Sequence, residues 1–154
     1  MALKLFLVIR IRGNMGVAPE VLDTLKRLNM PKRHNASLLT DSKSNMGMLI
    51  KVTDYVTWGE ISQPSLEALL EKRGRLAGDN RLTQEALSKL NAGTFKEISE
   101  HALADGTLPV PIKKTFRLTP PSKGYDRSIK RHYGSGGELG YRGEAINKLL
   151  ERML

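Results

Sequence analysis

The residues best suited to do chemistry in this chain are cations, and the chemistry they suit is phosphate binding. Between Val110 and Gly143 the eight basic residues Lys113, Lys114, Arg117, Lys123, Arg127, Lys130, Arg131 and Arg142 meet only Asp126 and Glu138, a net charge of +6. Tyr125, Tyr133 and Tyr141 are spaced through the same run, and five glycines from Gly134 to Gly143 are expected to keep its backbone free of a packed regular element. Cations displace counterions from a polyanion, and flat rings stack on unpaired bases or pack the loop onto its own body. With a pliable backbone, these groups suit the irregular surface of folded RNA.

Signals for catalysis are weak by comparison. His34, His101 and His132 do not pair at the helical spacings that hold a metal, and the chain has no cysteine, which removes thiolate ligands, disulfides and cysteine nucleophiles. Gly134–Gly140 carries Leu139 where a dinucleotide loop needs its third glycine, and Lys123-Gly124 reverses the order of a Walker loop. The largest share of the carboxylates, seven of sixteen, falls in residues 61–109 as solvated faces. No catalytic residue, metal site or cofactor is expected.

Across 154 residues there are 25 basic and 16 acidic side chains, a formal charge of +9. Residues 1–60 carry +4, 61–109 carry −1, 110–143 carry +6, and the last eleven balance. The basicity therefore lies toward both ends, and a polyanion is the expected partner. The N-terminal apolar run is broken by Lys4, Arg10 and Arg12, so neither a signal peptide nor a membrane span is predicted.

These groups need a frame. Alternation over residues 3–12 predicts a strand with Leu3, Leu5, Leu7, Ile9 and Ile11 on a core face and an opposite face ending in Arg10 and Arg12. Pro19 opens a helix with the stripe Val21, Leu22, Leu25 and Leu28. Asn35–Thr40 is a second strand, Ser44–Val52 a second helix capped by Asp41 or Ser42, and Tyr55–Ile61 a third strand containing a core Trp58. The middle reads as helices: one capped by Ser65, one begun at Thr83 with Leu87 and Leu90 inward, and one opened by the capping box Thr94/Glu97 and closed at Gly106. Pro109, Pro111, Pro120 and Pro121 mark extended chain, and Glu144–Met153 is a final helix that pins the basic loop at its far end.

Several stretches then occur in a telling order: LVIRIRG, TLKRLNMPKRHNASLL, NMGMLIKVTDYVTWGEI, FRLTPP and GGELGYRGEAINKLLERML. Together they closely resemble the archaeal and eukaryotic branch of the universal large-ribosomal-subunit protein family called L-thirty, L-seven in eukaryotes. The lack of a long basic N-terminal arm makes the chain look archaeal. The resemblance implies an α+β fold: a ferredoxin-like βαβαβ core over residues 1–61, with a three-stranded sheet and helices on one face. A helical extension over 62–154 follows, with the irregular basic loop 110–143 and the C-terminal helix. Bacterial relatives correspond to the first part alone.

The resemblance further implies a cytoplasmic, non-enzymatic constituent of the large subunit. It would bind large-subunit rRNA near 5S rRNA and contact neighbouring ribosomal proteins, with no membrane and no small-molecule substrate. Carried over by motif, the RNA contacts are Arg10, Arg12, Lys32, Arg33, His34, Lys43 and Asn45 in the core. In the tail they are Lys123, Arg127, Lys130, Arg131 and Arg142, with Tyr133 beside them as a ring that could stack. The family's FRL-x-PP is usually followed by Arg-Gly; here Ser122-Lys123-Gly124 displaces the cation by one position. The alternative from another class is a ferredoxin-like small-molecule-binding regulatory domain, which expects a neutral pocket instead of a +6 loop. An RNA-modifying enzyme would need a cofactor loop or an acid/base pair, and a protein-interaction module would use the balanced segment 61–109.

Overall fold

The structure, a computed structural model, describes residues 5–91, 93–106 and 112–154. Leu3 and Lys4 of the first predicted strand, and Pro109 and Pro111, lie outside the described residues. The strands are β1 (Leu5–Arg10), β2 (Asn35–Thr40), β3 (Val56–Glu60), β4 (Phe116–Arg117), β5 (Ser128–His132) and β6 (Gly137–Tyr141). The helices are α1 (Pro19–Arg27), α2 (Lys43–Lys51), α3 (Gln63–Arg73), α4 (Gln84–Lys89), α5 (Phe95–Asp105) and α6 (Ile146–Met153). All the strands join one mixed sheet in the order β4-β2-β1-β3-β6-β5. Among the described residues six strands replace the expected three, because the extension adds β4 to one edge and β6 with β5 to the other.

β1 runs antiparallel to both neighbours, with Val8 opposite Ser37 on one side and Trp58 on the other. β2 and β3 are therefore parallel to each other, joined by α2, with β1 between them. β6 extends the sheet parallel to β3 through Thr57–Gly140 and Trp58–Tyr141.

Alternation along β1 sends its side chains into two cores. Phe6 and Val8 meet Leu25 and Leu28 at the end of α1, Leu49 of α2, and Trp58. Leu5, Leu7 and Ile9 meet Leu66, Leu69 and Leu70 of α3, Ile98 and Ala102 of α5, and Ile146, Leu149 and Leu150 of α6. Helices thus cover both faces, where one was expected. The second face of β1 is apolar over Phe6 and Val8, and the extension buries what α1 and α2 leave open. Each fully buried aliphatic side chain contributes about 1.5–3 kcal/mol over its exposed state.

Local signals set most helix ends. Pro19 starts α1, the Ser42 hydroxyl accepts from Asn45 N–H at 3.2 Å, and the Thr83 and Thr94 hydroxyls cap α4 and α5. Gly106 closes α5 at φ 75°. Two expectations are corrected. Ser62, not Ser65, caps α3: Pro64 suits the first turn, so the helix begins earlier. Leu90 follows the last turn of α4 and is exposed, while Leu87 alone of that pair is buried.

Two of the loop glycines stand inside β6. A side chain on Gly137 would place its Cβ 1.9 Å from the Arg131 carbonyl oxygen. The glycine lets β5 and β6 approach, so part of the run is packed structure instead of free loop. Ser122 N–H and Thr119 N–H donate to the Arg152 and Met153 carbonyls, which ties residues 119–122 to the end of α6.

Candidate nucleic-acid interface

One end of the sheet gathers most of the expected contacts. β1 ends there, β2, β3 and β6 begin there, and Arg117 of β4 pairs with Asn35 at the same level. The turn before β2 carries Lys32, Arg33 and His34; the entry to β5 carries Arg127. Arg12 leaves β1 half-buried, its guanidinium 5.2 Å from the centre of the Tyr55 ring, and donates to the Asp54 carbonyl at 3.4 Å. The Asp54 carboxylate holds His132 Nε2 at 3.0 Å, so Arg12 and the end of β5 meet at one residue. Arg33 is exposed but anchored, Nε donating to the Ile11 carbonyl at 2.7 Å. Lys130 and Arg131 point from β5 into solvent. Lys123 is exposed in a turn at φ 65°.

Several expected contacts have internal roles. Arg10 is 1 % exposed; its guanidinium donates to the Arg12 carbonyl at 2.9 Å, the Met30 carbonyl at 3.0 Å and Asn14 Oδ1. Burial pushes its pKa down from the ordinary arginine value. Arg142 is also buried. It pairs with Glu138 at 2.6 Å and donates to Thr57 Oγ1 at 2.8 Å. For both, the expectation of a surface cation is corrected: each guanidinium satisfies oxygens that would otherwise be buried unpaired.

Tyr133 lies 5.0 Å from the Arg127 guanidinium and 5.1 Å from that of Arg142, so its ring binds the chain's own cations. His34 stacks on Tyr125 with centroids 6.3 Å apart, and Nδ1 lies 3.2 Å from the Tyr125 hydroxyl. Burial, then the Arg33 charge, lowers the His34 pKa, which favours a neutral hydrogen-bonding ring over a cation. Burial also pushes the Tyr125 phenol up to about 12. Lys43 and Asn45 stand at the opposite end of the sheet, after Thr40, which pairs with Leu5. Asn45 Nδ2 donates to the Thr40 carbonyl at 3.1 Å, and Lys43 is exposed.

A second basic group, of which the motifs point only to Lys32 as an RNA contact, lies beside β4. A cleft of about 600 Å³ beside β4 is lined by Lys32, Arg75, Lys113, Lys114 and Arg117 among polar neighbours, with Asp79 in their midst. Asp79 Oδ1 takes Lys113 Nζ at 3.4 Å and Arg117 Nη2 at 3.5 Å. Desolvation would raise the Asp79 carboxyl, but the Arg117 and Lys113 charges outweigh it and hold the pKa below its ordinary value. The Lys113-Lys114 doublet was a visible signal. Arg75 gave none, since it lies in the charge-balanced middle and reaches the cleft through bridges from Leu76 to Ile112 and from Arg75 to Arg81.

No group of three His, Asp or Glu among the described residues could hold a metal ion. No helix among them is long and apolar enough to cross a membrane.

Residues 6–56 match the family described as ribosomal protein L30p/L7e. Over 153 residues the chain is 42% identical to large ribosomal subunit protein uL30 of Methanococcus maripaludis, covering 97% of this chain and 99% of the relative. The chain belongs to this ribosomal protein family. The uL30 proteins of Nanoarchaeum equitans, 41% identical, and Ignicoccus hospitalis, 44% identical over the whole of both chains, extend the likeness through the tail. The L30p/L7e family is one of ribosomal structural proteins, not enzymes. Its matched region ends at the start of β3, so the exposed cations of β5 and all of the cleft cations except Lys32 lie beyond it.

Proposed function

We propose that this chain is a structural constituent of the large ribosomal subunit that binds large-subunit rRNA close to 5S rRNA and stabilises its folded form. Neighbouring ribosomal proteins complete its surroundings in the cytoplasmic ribosome. The observation that carries the reading is the convergence of Arg12, Lys32, Arg33 and Arg127 on one end of a sheet, with Lys130 and Arg131 beside them. Anchoring by the Ile11 and Asp54 carbonyls holds Arg33 and Arg12 in fixed positions, which suits a folded RNA of fixed shape. Arg10, Arg142 and Tyr133 serve by building that end. The ferredoxin-like reading of the core is supported by the parallel β2-α2-β3 unit split by β1.

The test is a salt titration of binding to large-subunit rRNA and to 5S rRNA, against an unrelated structured RNA of equal length. A steep slope with preference for the large-subunit rRNAs is expected, and equal affinity for all three would refute the reading. The small-molecule alternative gains no support from the cleft, whose lining is charged where such sites are mostly apolar.

A further inference from the structure

We infer that the cleft beside β4 is a second RNA-contact surface, which takes the phosphate backbone of one strand, and that Asp79 is a carboxylate placeholder that a phosphate displaces. The inference rests on the rRNA-binding reading above and shares only Lys32 with it; Arg75, Lys113, Lys114 and Arg117 are new to it. Five cations surround a single carboxylate, so the cleft keeps an excess of four positive charges. Among the described residues Lys32 and Lys114 have no acidic partner, and Asp79 alone engages Lys113 and Arg117. A phosphate oxygen and a carboxylate oxygen make the same demand on a lysine or arginine: an anion that accepts hydrogen bonds.

The pairing is shaped for exchange. Asp79, Lys113 and Arg117 are 42%, 40% and 68% exposed in their side chains, and their separations of 3.4 and 3.5 Å are long for charge-assisted bonds. Ion pairs this exposed contribute little, so trading them for a phosphate costs little. The cations themselves are held by the backbone. Lys113 N–H donates to the Arg75 carbonyl at 2.7 Å, Arg117 pairs with Asn35 across β4 and β2, and Thr115 Oγ1 donates to the Asn29 carbonyl at 2.7 Å. Asp79 sits in a short turn at φ 64°, its N–H donating to the Leu76 carbonyl at 3.0 Å. That fixes the carboxylate where it offsets one of the five charges until a stronger anion arrives. The volume, about 600 Å³, admits a stretch of backbone with its sugars instead of one small ion.

The experiment measures binding of the full chain to purified large-subunit rRNA of Methanococcus maripaludis over a range of salt concentrations. Lys114→Gln removes a cation that has no partner among the described residues and is expected to leave the fold intact. It should weaken binding about fivefold at 0.15 M salt and make the log–log salt slope shallower by about one unit. Asp79→Asn keeps the shape, removes the competing charge, and should tighten binding about fivefold. Circular dichroism of each variant checks that the fold is kept. If Lys114→Gln leaves affinity and slope unchanged, or Asp79→Asn weakens binding in a folded protein, the cleft inference is overturned while rRNA binding stands. If the unaltered protein shows no preference for large-subunit rRNA, the functional reading falls and the cleft inference falls with it.

Discussion

Replacing Arg10 with alanine separates a cation that builds the fold from one that meets RNA. The side chain is 1 % exposed, and its guanidinium makes three hydrogen bonds to the Arg12 carbonyl, the Met30 carbonyl and Asn14. Met30 is fully buried, so its carbonyl would lose its partner where water cannot replace it. An orphaned buried acceptor costs about 1–3 kcal/mol, and emptying the volume of a long buried side chain adds a cavity term of about 2 kcal/mol. The expected loss is therefore about 3–5 kcal/mol. For a chain of this length that is a fall in Tm of about 10 °C. Arg10→Met refills most of the volume and should recover about half of the loss.

The assay is urea denaturation followed by circular dichroism. It is paired with rRNA binding under conditions in which every variant is folded, where affinity should change less than about twofold. A stability loss under about 1 kcal/mol together with tenfold weaker RNA binding would refute the reasoning, because it would mean that the guanidinium reaches the RNA.

Three further outcomes follow from the same geometry. Gly59→Ala would put a Cβ 1.9 Å from the Gly143 carbonyl, with backbone on both sides of the clash; a loss of about 3 kcal/mol is expected by denaturation, and wild-type stability would show that α6 can shift away. Glu138→Ala strands the buried Arg142 guanidinium and should cost about 3–5 kcal/mol, read as a lower denaturation midpoint, with faster amide exchange at Arg127, whose N–H donates to Glu138 Oε1. His34 has a folded pKa below its ordinary 6.5, so the unfolded chain takes up the proton first as pH falls. Its contribution to stability is complete above about pH 6.5 and declines below that; an imidazole NMR titration midpoint above 6.5 would contradict the half-buried, Arg33-facing placement.

The sequence made the first 60 residues readable because their patterns are local. Alternation marks β1, Pro19 and Ser42 mark helix starts, and β-branched residues mark β3. What it could not give was the other side of β1. Leu5, Leu7 and Ile9 announce a core face, but Phe6 and Val8 announce a second core only once something covers it, and that cover is drawn from both α1 and α2. The tail failed for a related reason. Gly137 and Gly140 look like flexibility in one dimension, yet in the fold the missing Cβ at Gly137 is what lets two strands approach. Charge was legible as a total but not as a placement. Arg10 and Arg142 read like their neighbours in sequence and are distinguished only by the carbonyls and the carboxylate around them. Arg75 reads as part of a neutral segment, and only the bridges near residues 76 and 112 bring it to Lys113.

The parallel seam between β3 and β6 sets the order in which the chain can complete itself during synthesis. Thr57 donates its hydroxyl to the Gly140 carbonyl at 2.8 Å, yet the two residues are 83 positions apart. When β1, β2 and β3 have emerged, the outer rim of β3 still offers unpaired peptide groups to any other nascent strand, a known route to misassembly. That rim is closed only when the glycine-bearing tail arrives, followed at once by α6, which covers the remaining apolar face. Residues made long after β3 thus act as a latch on the strands that precede them.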